Sequence, residues 1–252
     1  MNDQFRPSHR TQALAKLKRG YAQLLDVSVR AFAVKGLVTG VTRRRESPDW
    51  ADWLVPVWLM SMDGATICSV APRFAEPVSK ALKGLVFHDP LLPLTRQILE
   101  EACGDQRFWP VELFAYLRPN PPEPPSQTRI DLLATGDPHA KQVLGDFDGE
   151  VYAVRDDQGH ILAHAGIKNR GLIQEIAVLT KEPHRNQGLG KALVAHATRE
   201  ILARGLMPVY SPNRMDNKSS YRVVNTLGFE KVGEMLMLMY RVPSWTGFAP
   251  HG

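Results

Sequence analysis

Cysteine is scarce in this chain of 252 residues: only Cys68 and Cys103 occur, each inside apolar sequence. Two thiols so placed define no disulfide framework, and no Cys or His spacing has the pattern of a zinc site, so no metal is expected. No apolar run reaches the ~18 residues that a membrane span needs, which leaves no candidate for a spanning helix. The first ten residues are polar and lack the hydrophobic region of a signal peptide, so a cytoplasmic location is expected. What is present is ordinary for a globular protein with an ample core, 44% apolar and 23% charged residues.

Charge is unevenly spread. The net charge is +5, yet residues 1–45 carry ten Lys and Arg against Asp3 and Asp26. Such an excess can serve nucleic acid or acidic partners. The simpler reading is a helix over 9–26 whose apolar stripe is Leu14, Leu17, Tyr21, Leu24 and Leu25, with Lys16, Lys18 and Arg19 solvated around it. Arg43, Arg44 and Arg45 are too short a run to claim more, so nucleic acid is not an expected partner.

Residues 119–125 hold five prolines, four of them in adjacent pairs, and read as a stiff extended connector. Before it, strands are expected at 53–60 and 66–70 around the turn Asp63-Gly64, helices at 74–85 and 92–103, and a strand at 111–117. After it come a strand at 129–134, a hairpin of 150–155 and 160–168, a third strand at 172–180, a helix ending near Gly205, a short strand at 208–211, a helix at 218–226 and closing strand at 229–242. The expected division is therefore an N-terminal α/β region over 1–118, a linker over 119–125, a second domain over 126–243 and a tail over 244–252.

Between the third strand and its helix lies Arg185-Asn186-Gln187-Gly188-Leu189-Gly190-Lys191. A strand, a glycine-bearing turn and a helix start form an anion cradle, because bare N–H groups meet the positive end of the helix. Arg185 and Lys191 add full charges, so the expected guest is a phosphate or pyrophosphate. A Walker A loop fails here: Ala192 follows Gly190-Lys191 where a magnesium-binding hydroxyl is needed, and Arg185 occupies the first glycine position. A dinucleotide loop fails too, since Leu193 stands where its third glycine belongs.

Arg185, Gly188 and Gly190 do fit Arg/Gln-x-x-Gly-x-Gly/Ala. Together with Glu175 in the preceding strand, Asn217-x-x-Ser220 and Gly228-Phe229, they resemble the GNAT acyltransferase superfamily, over roughly residues 150–241. The resemblance implies an α/β fold of the α+β kind, with a mixed, mainly antiparallel sheet flanked by helices. The family's first strand and two-helix arm do not fit between the connector and the hairpin. Residues 1–118 either supply their equivalent or form a second, degenerate lobe.

By the same resemblance the chain is an N-acetyltransferase that moves an acetyl group from acetyl-CoA to a primary amine, by direct transfer through a tetrahedral intermediate. The acceptor is expected to be a small molecule; a homodimer stays open. Coenzyme contacts are expected from the main chain of Val178, Leu179 and Thr180, from Arg185, Asn186, Gln187, Gly188, Leu189, Gly190 and Lys191, and from Asn217 and Ser220. Glu175 resembles the catalytic glutamate that relays the amine proton through water; the other reading is an ion pair across the sheet with Lys168 or Arg170. His164 is a second-choice base. Where many relatives carry a tyrosine acid, this chain has Val224; Tyr221 reads as a packing residue, His184 as part of the phosphate loop and His196 as solvated. Arg214 or Asp216 could reach the substrate, although a solvated turn is the simpler reading of that loop. The alternative from another class is a non-catalytic acyl-CoA-binding regulatory module with a basic N-terminal partner-binding region.

Overall fold

The computed structural model describes residues 8–50, 53–83, 93–123, 128–134, 137, 143, 147–211 and 217–242. Its helices are α1 (His9–Leu25), α2 (Pro72–Leu82), α3 (Pro93–Ala102), α4 (Leu189–Ala203) and α5 (Lys218–Leu227). The strands are β1 (Gly36–Val41), β2 (Pro48–Trp50), β3 (Trp53–Met62), β4 (Ala65–Val70), β5 (Phe108–Ala115), β6 (Asp131–Leu132), β7 (Val151–Arg155), β8 (Ile161–Arg170), β9 (Ile173–Thr180), β10 (Met207–Tyr210) and β11 (Glu230–Arg241). The fold class is the expected mixture of α and β, with mainly antiparallel pairing. β1 was not anticipated. β5 begins three residues earlier than the apolar pattern suggests, and β6 keeps only two residues of the strand expected at 129–134.

The described residues fall into two compact units, one within Met1–Leu24 and Glu112–Val232, the other within Leu25–Val111 and Gly233–Gly252. The proline-rich segment does not mark this division. Residues 233–241 of β11 pair with β3, Met235 opposite Met60 and Met237 opposite Trp58, which draws this part of β11 into the second unit. Residues 124–127 and the tail 243–252 lie outside the described residues.

In the second unit the strand order is β1–β4–β3–β11, with β2 on β3. β3 and β4 form the expected hairpin: Asp63 and Gly64 both take positive φ, 54° and 79°, as a tight two-residue turn requires. Its core joins Leu59, Cys68, Val78, Leu99, Phe108 and Leu236. Both cysteines are free buried thiols, and burial pushes their pKa values up. Arg45 is turned inward: it is 1% exposed, donates to Ser69 Oγ at 3.0 Å and to Asp49 Oδ2 at 2.9 Å, and lies over the Trp58 ring. Of the three consecutive arginines, then, only Arg43 and Arg44 face outward.

In the first unit the order is β5–β10–β9–β8–β7–β6, and β9 with β10 is its parallel pair. One face carries Val154, Ala165, Ile167 and Ile176, packed against Leu193 and Ala197 of α4 and Val224 of α5. Strand alternation puts Val151, Ala153, His164, Gly166, Lys168, Glu175, Ala177 and Leu179 on the other face. There α1 covers the end at Ile173, so closely that a Cβ on Gly20 would overlap the Ile173 side chain. Ser8 caps α1 by accepting from Thr11 N–H at 3.2 Å; of the expected stripe, Leu17, Tyr21, Leu24 and Leu25 are buried and Leu14 is half-buried.

Candidate active site

The loop between β9 and α4 has the geometry that an anion needs. A short 3-10 turn, Glu182–His184, follows β9; Asn186 and Gly188 then take φ of 63° and 83°, and Gly188 stands as the N-cap of α4. Left-handed φ is costly for residues with a Cβ, which accounts for glycine at 188. No side chain caps α4. Among the described residues, the main-chain N–H groups of 186–191 donate to no protein group, although α4 starts here with Ala192 N–H on Gly188 C=O at 3.0 Å. Residues 185–188 are exposed, and Arg185 Nε donates to Thr180 C=O at 3.4 Å, which ties the loop to the end of β9.

Beside the loop, β9 leaves β10. Their pairing ends at Ile176 opposite Tyr210, so among the described residues no strand lies along residues 177–180 on that side. Register decides which main-chain groups face the gap. Lys181 N–H donates to Leu162 C=O at 2.9 Å, and Ile167 exchanges its bonds with Gly149 and Glu150 on the β7 side. Antiparallel pairs alternate between bonded and non-bonded. Leu179 is therefore bonded back to His164, whereas the N–H and C=O groups of Val178 and Thr180 point into the gap. Of the three expected main-chain positions, Val178 and Thr180 direct their groups into the gap and Leu179 does not, and Thr180 C=O already accepts from Arg185. Gly190 closes the space from α4: a Cβ on it would stand 3.3 Å from Thr180 Oγ1 and 3.7 Å from Val178 Cγ2.

The N-terminus of α5 supplies the third side. Asn217 is its N-cap, its Oδ1 accepting from Ser220 N–H at 3.2 Å and from Ser219 Oγ at 2.9 Å. Tyr210 at the end of β10 donates its hydroxyl to Ser220 Oγ at 3.1 Å. Burial raises the Tyr210 pKa, and the bond to Ser220 lowers it by less. Because Ser220 Oγ accepts that bond, its own proton is left to donate outward. Sequence reasoning missed Tyr210: it ends a short apolar strand, and nothing in the spacing ties it to a serine ten residues on. Val224 is fully buried, and Tyr221 packs edge-on against Phe114 with ring centroids 5.7 Å apart, as its packing role requires.

Glu175 sits on the opposite face, and it is engaged. Arg170 Nε lies 3.2 Å from Glu175 Oε2, with side-chain exposures of 3% and 13%, and Lys168 is its direct cross-strand partner. Burial pushes the Glu175 pKa up, but the charges of Lys168 and Arg170 and the bond from Arg170 outweigh it, and the net direction is down. On the same face the Phe147 ring lies on Gly166, where a Cβ would overlap it, and meets the His164 ring edge-on at 6.3 Å. Leu179 is 54% exposed.

His196 differs from expectation: its ring meets Tyr152 edge-on at 4.8 Å, and burial lowers its pKa. The loop 212–216, with Arg214 and Asp216, lies outside the described residues. Among the described residues no three His, Cys, Asp or Glu side chains are grouped to hold a metal, and no helix is long and apolar enough to cross a membrane. An open cavity of about 480 Å³ also occurs in this unit, between Tyr116, Arg118, Pro121 and Glu123 and the end of α5 at Thr226 and Leu227. It adjoins the C-terminus of α5, whereas Asn217 and Ser220 mark the opposite end of that helix, so it is not the site at the loop.

A gapped sheet edge beside a row of helix-terminal N–H groups has the geometry that an extended, phosphate-bearing ligand requires. Residues 111–229 match the acetyltransferase (GNAT) family. Solved structures with a similar fold include an acetyltransferase from the GNAT family of Colwellia psychrerythraea (13% identity over 56% of this chain and 61% of that one, TM-score 0.42). Others are a GCN5-related N-acetyltransferase from Kribbella flavida (20%, 61% and 66%, TM-score 0.43) and a GCN5-related N-acetyltransferase-like protein from Streptococcus suis (14%, 90% and 98%, TM-score 0.49). This chain spans less than two thirds of the length of the first two. No curated protein matches the sequence.

Proposed function

We propose that this protein is an N-acetyltransferase that moves the acetyl group of acetyl-CoA to a primary amine on a small molecule. The observation that carries this reading is the set of main-chain N–H groups over 186–191 that, among the described residues, donate to no other protein group, at the mouth of the β9–β10 gap in the segment that matches the GNAT family. The residues present fit the coenzyme. The N–H groups with Arg185 and Lys191 would hold its pyrophosphate, and Val178 would pair with its pantetheine arm as a neighbouring strand does. Bound there, acetyl-CoA supplies an activated thioester.

Val178 and Thr180 direct main-chain groups toward that thioester, and an N–H donor at Val178 would favour negative charge on its oxygen. Ser220, its proton turned outward by Tyr210, would stabilise the departing sulfur in place of the acid missing at Val224, with Asn217 holding the start of α5. Tyr210 is thus a positioning residue. Ser220→Ala is expected to lower kcat about 10- to 100-fold with little change in acetyl-CoA affinity, and Tyr210→Phe to follow it in the same direction. Equal kcat in wild type and Ser220→Ala would remove that role.

Glu175 lies on the face from which an amine would approach, but its charge is balanced by Lys168 and Arg170. A carboxylate held down in pKa is a poor match for taking a proton from an ammonium near neutral pH. We assign Glu175 the task of fixing the β8–β9 face; the base must have a higher proton affinity. The non-catalytic alternative gains no supporting observation, since Arg45 of its basic region is buried. The reading is tested by incubating the chain with acetyl-CoA and a panel of primary amines: free thiol released only with an amine supports it, and no release with any amine speaks for a binding module.

A further inference from the structure

We propose that His164 takes the proton from the acceptor amine, and that the acceptor carries its amine on an apolar body resting against Phe147 and Leu179. This rests on the acetyl-transfer reading. His164 is bonded through its main chain to Leu179, so the two side chains leave the same face of adjacent strands about 5.5 Å apart at Cα. The position of Leu179 on β9 lies between Val178 and Thr180, the two residues whose main-chain groups open into the gap. The imidazole is therefore level with the point where a thioester in that gap would lie, and Glu175 is four residues farther along β9. Glu175 also has its carboxylate on Arg170, and His164 is half-buried beside Ala153 and the Phe147 ring.

The platform around it is apolar. The Phe147 ring occupies the space above Gly166, which only a residue without a Cβ provides, and stands edge-on to His164; Ala177 and the exposed Leu179 continue it across β9. Charged groups flank the platform. From β7 comes Arg155, paired with Asp137 and Asp131; beyond β9 comes Lys181; farther along the same face are Lys168, Arg170 and Glu175. Each carboxylate named here already faces an arginine, whereas an imidazole is the side-chain type suited to take a proton near neutral pH.

The proton balance is simple. Of the three protons on the substrate ammonium, one goes to the imidazole and on to solvent. The lone pair so freed forms the C–N bond. As the C–S bond breaks, its electron pair stays on sulfur, which receives the second proton, and the third remains on the amide nitrogen.

The test uses the full chain, acetyl-CoA and 2-phenylethylamine as the probe, comparing wild type with His164→Gln and Glu175→Gln. In wild type, kcat/KM should rise through an ionisation between pH 5 and 8. In His164→Gln that step should vanish and the rate at pH 7.5 fall about 100-fold, with acetyl-CoA affinity by calorimetry unchanged, which also shows that the variant is folded. Glu175→Gln should keep the ionisation. Independently of turnover, the His164 ring-proton signal, assigned by its loss in His164→Gln, should shift when the amine is added to the coenzyme-loaded protein. Loss of the ionisation in Glu175→Gln but not in His164→Gln would overturn the proposal, as would a His164 signal indifferent to the amine while acetyl-CoA binds. Failure of wild type to bind acetyl-CoA would instead overturn the coenzyme reading beneath it.

Discussion

Gly190→Val should weaken acetyl-CoA binding at least 100-fold, measured by calorimetry against wild type. A Cβ at this position already stands 3.3 Å from Thr180 Oγ1, closer than most Cβ contacts, and 3.7 Å from Val178 Cγ2. Two further methyl groups cannot enter without lifting the start of α4 from β9 or filling the space between them. Either outcome separates the loop N–H groups from the Val178 main chain, two halves of one binding surface. A 100-fold loss corresponds to about 2.7 kcal/mol, the scale of one or two charge-assisted hydrogen bonds. The fold should tolerate the change better than the ligand does, because the first turn of α4 is only half-buried and an α-helical φ suits valine. Gly188→Val would be less discriminating, since left-handed strain at φ 83° would mix a stability loss with the binding loss.

Arg170→Met should destabilise the protein by about 3–5 kcal/mol, read from urea unfolding, because it leaves Glu175 charged and without its buried partner. The double variant Arg170→Met with Glu175→Leu should recover part of that loss, since it removes the buried carboxylate together with its arginine and leaves Lys168 as the remaining charge on this face. The pair also sets a pH dependence. The folded-state pKa of Glu175 is lowered, so its contribution to stability is fully present above the unfolded glutamate value of about 4.3 and is lost as pH falls through the lower folded value. Wild type should therefore lose this contribution only in acid, and the double variant should show a shallower acid slope. A single variant as stable as wild type would mean that Lys168 or solvent, and not Arg170, balances Glu175.

The parts of the molecule that local chemistry dictates were legible beforehand. Glycine spacing between an apolar strand and an amphipathic helix is enough to expect the loop at 185–191, and alternation alone puts Glu175, Ala177 and Leu179 on one face. Asn217 as a helix cap needs only its neighbours. What depends on distant pairing was not legible. β1 has Gly36 and Gly40 within six residues and an irregular exposure pattern, so it carries no period-two signal; it is a strand because β4 pairs with it. The prolines at 119–125 announce a stiff segment but say nothing about which residues pack together, and it is pairing with β3 that sends part of β11 into the unit of residues 25–111. The hydroxyl pair of Tyr210 and Ser220 joins a strand end to a helix start, a contact that no periodicity encodes. For Glu175 both an acid–base role and an ion pair were conceivable from the sequence; only the 3.2 Å approach of Arg170 weighs one against the other.

The central claim is that the N–H groups between Arg185 and Lys191 hold the diphosphate of acetyl-CoA. Amide exchange measured residue by residue, with and without acetyl-CoA, tests it most directly. Rapid exchange is expected at 186–191 in the free protein, with marked slowing there and at Val178 once acetyl-CoA is added. Unchanged exchange at these residues, under conditions where acetyl-CoA slows another part of the chain or none, would contradict it.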